Sequence, residues 1–179
     1  SAGIVVVILM TPTYLQKVHG ISPADALTAN SLAIVALTLG CIFYGRLIDS
    51  LGSGPTFVLG SLLLAGATYA FYHSLAAGMA QLIPLYMLAG FAVGIVGAVP
   101  YVMVNAFPPV VRFSGLSFSY NVAYAIFGGL TPMLVTLWMK NDVLAPSHYV
   151  VSLAALGFVL GLWLWLRQRT QRQATPQTA

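Results

Sequence analysis

The stretch Gly45–Gly54, GRLIDSLGSG, concentrates polar residues in a chain in which only 6% of residues are charged. It places Arg46 and Asp49 among glycines, between two long apolar runs. A carboxylate such as that of Asp49 can stabilise the positive N-terminus of a neighbouring helix, and loss of that contact can shift a conformational equilibrium. Two interpretations follow: a solvated loop that joins two membrane helices, or the gating loop of a transporter.

A second group of candidates consists of uncharged polar residues inside apolar runs. Tyr120 and Tyr124 are four residues apart and share a helix face, and Asn121 neighbours Tyr124 one helical turn away. Amide and phenol groups on one face suit a water-lined cavity, and Tyr14 and Asn30 join them as candidate substrate-binding residues. The alternative is hydrogen bonding between helices, worth about 0.6 kcal/mol per contact.

Catalytic chemistry has little support in this sequence. The three carboxylates, Asp25, Asp49 and Asp142, all lie near predicted membrane boundaries and form no acidic pair. No HExxH or GxSxG motif is present, and Cys41 is the single cysteine, which offers no disulfide framework and no metal site. The sequence therefore predicts that the protein is not an enzyme, with no catalytic residues, no metal site and no cofactor.

The composition determines the class of protein. The mean hydropathy is +0.91 and 59% of residues are hydrophobic, whereas soluble domains average about 25% charged residues. A helix of about 20 apolar residues crosses a bilayer core, and the apolar runs are continuous rather than alternating, which favours helices over strands. We expect an all-α membrane protein with six transmembrane helices: Ser1–Tyr14, Pro23–Leu47, Pro55–Tyr72, Leu82–Ala106, Gly115–Met139 and Ser147–Leu166.

The two ends of the chain differ from its middle. The first segment, of about 14 helical residues, would span only about 21 Å, and the chain begins with Ser1. We therefore expect residues 1–166 to be a six-helix transmembrane bundle cut inside its first helix. Residues 167–179 are expected to be a polar tail without regular structure.

The basic residues predict the orientation in the membrane. If six helices alternate, Lys17 and Lys140 fall on one side and five arginines on the other. These arginines are Arg46, Arg112, Arg167, Arg169 and Arg172. We therefore expect an integral membrane protein with the Gly45–Gly54 loop, the Arg112 loop and the C-terminus cytoplasmic. The basic residues form no continuous basic face, so nucleic acid is not an expected partner. The arginines of the tail are interpreted as topology anchors or, alternatively, as contacts to anionic lipid.

Helix starts and helix contacts also have sequence signals. Ser22–Pro23 and Gly54–Pro55 are typical of helix starts, and Gly90, Gly94 and Gly97 predict a close contact between helices. Prolines in the fourth and fifth segments free backbone carbonyls, which survive at membrane depth only against protein or water. Aromatic residues near the predicted helix ends fit interfacial belts. They are Tyr69, Phe71, Tyr72, Tyr149, Trp163 and Trp165.

Two loops resemble motifs of a known family. Gly45–Gly52 resembles the G-x-L-x-D-x-x-G loop of the major facilitator superfamily, and Phe107–Gly115 resembles its F-P-x-x-x-R-x-x-G loop. The continuation SFSYNVAYAIFGGLTP is similar to the metabolite:proton symporter branch, which includes carriers of proline and betaine, 2-oxoglutarate, citrate and shikimate. The sequence departs from the family pattern at Ser53 and Gly54, which are usually basic, and at Asn105, which is usually acidic.

The resemblance implies both a fold and a function. The chain would be the C-terminal half, helices seven to twelve, of a twelve-helix carrier whose halves rock around a central site. It would belong to a secondary active transporter of the bacterial inner (plasma) membrane, a proton symporter of a small organic acid or zwitterionic metabolite that works by alternating access. Its partners would be the substrate, protons, the lipid bilayer and the missing N-terminal six-helix half. Gly45, Asp49, Gly52 and Arg112 would form the conformational gate, with Asp49 against a helix N-terminus of the missing half.

Two other functions stay open at this point. One is a six-helix integral membrane enzyme, such as a protease or acyltransferase, which would need a nucleophile and a base in one cavity. The other is a non-transporting membrane subunit, which would need no polar cavity. If transport is driven by protons, a titrating carboxylate should lie within the membrane, and we expect it in the missing half.

Overall fold

The structure of this chain is a computed structural model that describes residues 2–77 and 82–174. Within these residues there is no strand, and six helices are long and apolar enough to cross a membrane, which confirms the all-α membrane fold with six spans. Ser1 and residues 175–179 of the expected tail lie outside the described residues. The helices are α1 Ala2–His19, α2 Pro23–Leu51, α3 Ser53–Ala77, α4 Leu82–Ala106, α5 Arg112–Trp138 and α6 Ala145–Ala174.

Local chemistry explains several helix ends. The Ser22 Oγ accepts a hydrogen bond from the Asp25 backbone N–H at 3.1 Å and Pro23 fills the first turn, so α2 begins as the sequence predicts. Gly20 ends α1 with a left-handed φ of 66°, which glycine adopts without steric cost. Phe107 is extended because it precedes a proline, and this conformation ends α4.

Five of the six helices extend beyond the predicted bounds at one or both ends. α1 continues past Tyr14 to His19, which gives an 18-residue span rather than a stub too short for the bilayer. α2 runs to Leu51 rather than Leu47. α3 runs over Ser53–Ala77 rather than Pro55–Tyr72, and α5 begins at Arg112 rather than Gly115. α6 runs to Ala174 rather than Leu166, so the expectation of a tail without regular structure is wrong for residues 167–174.

The polar stretch between α2 and α3 is a corner, not a loop. Helical structure continues through Leu51, and α3 begins at Ser53. Gly52 alone is non-helical, with φ 87° and ψ 172°, a conformation that is essentially restricted to glycine. The expectation of a loop over Gly45–Gly54, which both interpretations share, is therefore wrong, because one glycine suffices to reverse the chain.

Glycines bring α2 and α4 into close contact, as predicted. A Cβ added at Gly90 would collide with the carbonyl oxygen of Ala33, and one added at Gly94 would lie 2.6 Å from the carbonyl carbon of Gly40. At Gly97 the added Cβ would lie 3.1 Å from the Cys41 Cβ. Small residues permit this approach where lipid supplies no hydrophobic force between helices.

A second glycine contact joins α3 and α6, and the sequence analysis did not single it out. A Cβ added at Gly54 would lie 2.5 Å from the Trp165 Cα. A Cβ added at Gly161 would lie 2.8 Å from the Val58 backbone nitrogen. The bundle therefore contains two tightly packed helix pairs, α2–α4 and α3–α6.

The core of the bundle surrounds α1. Half of the 18 residues of the α1 span are buried, compared with 11% of the residues in the apolar stretch of α5. Phe71 and Tyr72 are fully buried against this core, so their assignment to an interfacial belt is wrong, whereas Tyr69 and Trp163 are exposed. Exposed apolar side chains such as Phe118, at 72%, suit a surface that faces lipid.

Three helices contain an irregular turn, and each turn precedes a proline. α1 is π-helical over Val5–Met10 and α5 over Tyr124–Gly128, whereas α4 is 3₁₀-helical over Gly94–Ala98. The prolines are Pro12, Pro132 and Pro100 respectively. A proline cannot donate to the carbonyl four residues before it, and in each case that carbonyl lies inside the irregular turn.

The six helices alternate in direction, so each end of the bundle collects the starts of some helices and the ends of others. At the Gly52 end, α2, α4 and α6 finish and α3 and α5 begin. At the His19 end, α1, α3 and α5 finish and α2, α4 and α6 begin.

Candidate functional site

A buried polar network surrounds the π-helical turn of α1. In the widened turn the Thr11 backbone N–H donates to the Val6 carbonyl, and Pro12 has no N–H to donate to the next carbonyl, that of Val7. The Thr11 hydroxyl donates to the Val6 carbonyl at 3.0 Å and lies 2.7 Å from the Tyr72 hydroxyl. Thr11 and Tyr72 are both completely buried. The network therefore links α1 to α3 in the centre of the bundle.

Tyr86 satisfies a second α1 carbonyl. Its hydroxyl donates to the Val7 carbonyl at 2.8 Å and also lies 2.5 Å from the Asn30 side-chain amide. The structure places the Asn30 Oδ1 at this position. Because one phenol hydrogen cannot serve two acceptors, we assign the flipped orientation of the amide, with its Nδ2 towards Tyr86. Asn30 then donates to the phenol oxygen, and the phenol donates to Val7. This arrangement joins α1, α2 and α4 through the Tyr86 hydroxyl.

Tyr14 lies at the His19 end of the same core. Its hydroxyl donates to the Val143 carbonyl at 3.1 Å, and its ring packs edge-on against Tyr72 at 5.3 Å. This bond ties α1 to the connection between α5 and α6. Tyr14 also lines a cavity of about 220 Å³, together with Lys17 and Thr13.

The polar residues of α5 form a separate group. The Tyr120 hydroxyl donates to the Tyr124 hydroxyl at 3.2 Å, and the two rings lie 4.7 Å apart, which confirms that they share a face. Asn121 is exposed and its Nδ2 donates to the Ser117 carbonyl of its own helix at 2.8 Å. The structure thus brings Tyr120 and Tyr124 together beside Asn121, but places Asn30 and Tyr14 in the α1 network.

The residues of the expected gate lie in or beside regular helix. Gly45 lies within α2, where an added Cβ would meet nothing within 4 Å. Asp49 is exposed in the last turn of α2, where the helix dipole disfavours a negative charge. Among the side chains that the structure describes, none forms an ion pair with Asp49. The carboxylate therefore has neither a favourable helix end nor a described basic partner on its own helix.

Arg112 begins α5 and braces the preceding turn. Its Nε donates to the Phe107 carbonyl at 3.3 Å, the position at which α4 ends. The Phe107 ring lies against Gly115, where an added Cβ would be 2.7 Å from the Phe107 Cδ1. The motif over Phe107–Gly115 therefore has a structural explanation, because these residues fix the connection between α4 and α5.

The remaining acids lie at helix ends. Asp142 accepts a hydrogen bond from the Leu144 backbone N–H at 2.9 Å and pairs with His148 Nδ1 at 2.8 Å. Asp25 accepts from the Ser22 hydroxyl at 2.7 Å. Over residues 2–77 and 82–174, no three His, Cys, Asp or Glu side chains form a group that could hold a metal ion.

Three partners in the central network were not predicted as site residues from the sequence. Thr11, Tyr72 and Tyr86 are buried and hydrogen-bonded, yet none of them was a candidate site residue. Pro12 was the available signal, because a proline inside a membrane helix frees a carbonyl that needs a donor nearby. The sequence does not reveal that the donor comes from α4.

Comparison with known proteins points to transporters. The chain is 29% identical over 159 residues to the ectoine/proline transporter ProP of Corynebacterium glutamicum, which covers 86% of this chain and 31% of that protein. It is 28% identical over 140 residues to a proline/betaine transporter of Salmonella typhimurium, which covers 73% of this chain and 28% of that protein. The chain therefore spans about a third of the length of the curated relatives that it matches.

No protein-family model matches the chain, and no solved structure matches it significantly. The relatives are named as transporters, which are not enzymes, in agreement with the prediction that this protein is not an enzyme.

Proposed function

We propose that this chain is the C-terminal six-helix half of a secondary active transporter of the major facilitator superfamily, in its metabolite:proton symporter branch. The observation that carries the proposal is the similarity to named proline, betaine and ectoine transporters over most of this chain. The six membrane spans and the motifs over Gly45–Gly52 and Phe107–Gly115 support it. The substrate would be a small zwitterionic metabolite or organic acid, moved by alternating access together with protons.

The α5 face favours a zwitterion over an organic acid. Tyr120 and Tyr124 place two phenol rings 4.7 Å apart, and aromatic rings attract quaternary ammonium groups such as that of betaine. Between Arg112 and Trp138, α5 contains no charged residue that could bind a carboxylate. In this proposal the cationic group of the substrate contacts α5, and the missing N-terminal half supplies the partner for its carboxylate.

The proposed movement uses the irregular turns and the Gly52 corner. Irregular turns in α1, α4 and α5 are places where a helix can bend without breaking a full ladder of hydrogen bonds. Asp49, exposed at the Gly52 end, would contact the positive N-terminus of a helix in the other half. A contact of about 1 kcal/mol shifts a two-state equilibrium about fivefold, which suffices to bias one conformation.

The proton-coupling group would lie in the other half. Asp25, Asp49 and Asp142 are at helix ends, and the six spans of this chain contain no acidic residue at their centres. The excess of arginines at the Gly52 end would place that end in the cytoplasm of a bacterial inner membrane.

An uptake assay tests the transport proposal. The complete gene product is expressed in bacteria that lack their own proline and betaine carriers, and uptake of labelled proline and glycine betaine is measured with and without a protonophore. We expect uptake of at least one substrate, abolished by the protonophore. Uptake that persists without a proton gradient refutes proton coupling, and no uptake of either compound or of a panel of organic acids refutes the transporter.

Cysteine labelling tests the α5 site. Single cysteines replace Tyr120 or Asn121 in a background in which Cys41 is changed to alanine, and Ile126→Cys serves as the control because Ile126 is apolar, 47% exposed and on another face of α5. A membrane-impermeant maleimide should label positions 120 and 121, substrate should reduce that labelling, and position 126 should stay unreactive. Equal labelling with and without substrate would favour the non-transporting subunit.

A further inference from the structure

A groove at the Gly52 end has no role in the proposed transport cycle. It encloses about 500 Å³ among α3, α4 and α6, which falls within the range of about 300–1,000 Å³ typical of ligand sites. Its polar and aromatic lining consists of Ser53, Tyr101, Asn105, Trp163, Arg167 and Gln168. The groove therefore combines hydrogen-bonding groups with exposed aromatic rings.

The charge of the groove selects an anion. Arg167 is the only charged residue in its lining, and in the described part of the chain no carboxylate pairs with it. The guanidinium carbon lies 5.3 Å from the centre of the Trp163 ring, which holds the cation at the rim of the groove. A guanidinium group binds phosphate oxygens through several N–H donors in a fixed geometry.

An apolar stripe on α6 leads directly to Arg167. Leu156, Leu160 and Trp163 are exposed at 63%, 58% and 55%, and their helical spacing places them on one face with Arg167. The stripe lies on the membrane-spanning part of α6, and Arg167 follows at the level where tryptophans meet lipid headgroups. The surface thus offers an apolar track that ends in a cation.

We propose that this groove binds an anionic phospholipid, with the headgroup phosphate at Arg167 and an acyl chain along Leu156, Leu160 and Trp163. A soluble phosphate ester would use the cation but not the apolar track. The lipid explains both features, since it joins a charged headgroup to an apolar chain in one molecule, as Arg167 and the stripe are joined on one face of α6.

The bound lipid would adjoin the corner between α2 and α3. The Gln168 Nε2 donates to the Ser53 Oγ at 2.7 Å, and both residues line the groove. A Cβ added at Gly52 would lie 3.3 Å from the Gln168 Oε1, so the corner packs directly against this contact. Occupancy of the groove therefore stabilises the contact of α6 with the start of α3.

Native mass spectrometry of the purified complete gene product tests this site without requiring transport. The protein in neutral detergent is titrated with dioleoyl phosphatidylglycerol, with dioleoyl phosphatidylcholine and with inorganic phosphate. We expect phosphatidylglycerol to bind at least fivefold more tightly than phosphatidylcholine, and Arg167→Gln to remove that preference. Asn105→Asp, which adds a negative charge to the groove lining, should weaken phosphatidylglycerol binding to a similar extent.

The matched control is Arg169→Gln. Arg169 lies two residues further along α6, over the Trp165 ring at 4.5 Å and outside this groove. It should change phosphatidylglycerol affinity less than twofold. Equal losses for Arg167→Gln and Arg169→Gln would overturn the site in favour of diffuse electrostatic attraction. Equal binding of the two lipids, or competition by millimolar inorganic phosphate, would overturn the anionic phospholipid as its occupant.

Discussion

Replacement of Tyr86 by phenylalanine tests whether the central network holds the irregular turn of α1. The variant removes one hydroxyl that makes two contacts, at 2.8 Å to the Val7 carbonyl and 2.5 Å to Asn30. Contacts of this kind in membrane proteins average about 0.6 kcal/mol, with a maximum of about 1.7 kcal/mol. Two contacts, both lost in a buried site, should therefore lower the free energy of unfolding by about 1–2 kcal/mol.

The assay is equilibrium unfolding of the purified chain in mixed micelles, followed by its helical circular dichroism signal. A double-mutant cycle with Asn30→Ala separates the two contacts, because that variant removes only the second partner. We expect a coupling energy of about 0.6 kcal/mol between positions 30 and 86. The control is Tyr69→Phe, the same chemical change at a side chain that is 48% exposed, with an expected effect below about 0.5 kcal/mol.

A Tyr86→Phe variant as stable as the unmodified chain, or one whose stability loss equals that of Tyr69→Phe, would refute the role of Tyr86 in stabilising the irregular turn of α1. A stability loss with no coupling between positions 30 and 86 would place the contribution of Tyr86 in the Val7 contact alone. That result would contradict the assignment of Asn30 as a donor to the phenol.

Three further changes test packing and gating. Gly90→Ala should lower the free energy of unfolding by about 1–3 kcal/mol, because its methyl group would overlap the Ala33 carbonyl. Gly66→Ala, whose methyl group would meet nothing within 4 Å, should be neutral or stabilising. Equal effects of the two changes in denaturation would contradict the α2–α4 contact. Asp49→Asn in the complete gene product should reduce proline or betaine uptake about fivefold at unchanged membrane expression, while Asp142→Asn at the opposite end should not; unchanged uptake removes Asp49 from the gate. Gly115→Ala should cost about 1 kcal/mol of unfolding free energy, because its methyl group would displace the Phe107 ring, and a neutral result would show that this connection is not tightly packed.

Helix ends could be predicted where a residue type dictates the backbone. The end of α4 at Ala106 matches the prediction because the following Phe107 precedes a proline and must be extended. The start of α2 follows in the same way from Ser22 and Pro23. These signals act over two or three neighbouring residues, so the sequence contains them completely.

Glycine was a less reliable predictor of where one helix ends and the next begins. Gly45, Gly52 and Gly54 all interrupt the same polar stretch, but only Gly52 adopts a positive φ. A glycine inside a helix costs only about 1 kcal/mol, so α2 tolerates Gly45 and continues to Leu51. Which glycine makes the corner depends on the packing of α3 against α6, and that packing involves residues more than one hundred positions away.

In the candidate site, contacts within one helix could be predicted from the sequence, whereas contacts between helices could not. Tyr120 and Tyr124 share a helix, so their spacing alone predicted the pair. Asn30 and Tyr86 are separated by 56 positions, and no periodicity within one helix predicts that contact. Phe71 and Tyr72 were misplaced for a related reason: aromatic residues near a helix end suit an interface, and only the neighbouring helices determine whether they are covered.

The single residue between α2 and α3 has a mechanical consequence. A linker of several residues would let two helices tilt independently, but Gly52 offers only two rotatable backbone dihedrals, and Ser53 is already fastened to Gln168. α2 and α3 therefore form one rigid unit, in which a rotation of one helix is transmitted to the other. A force on Asp49, near the end of α2, would be transmitted through α3 to α6, so that these three helices would turn together.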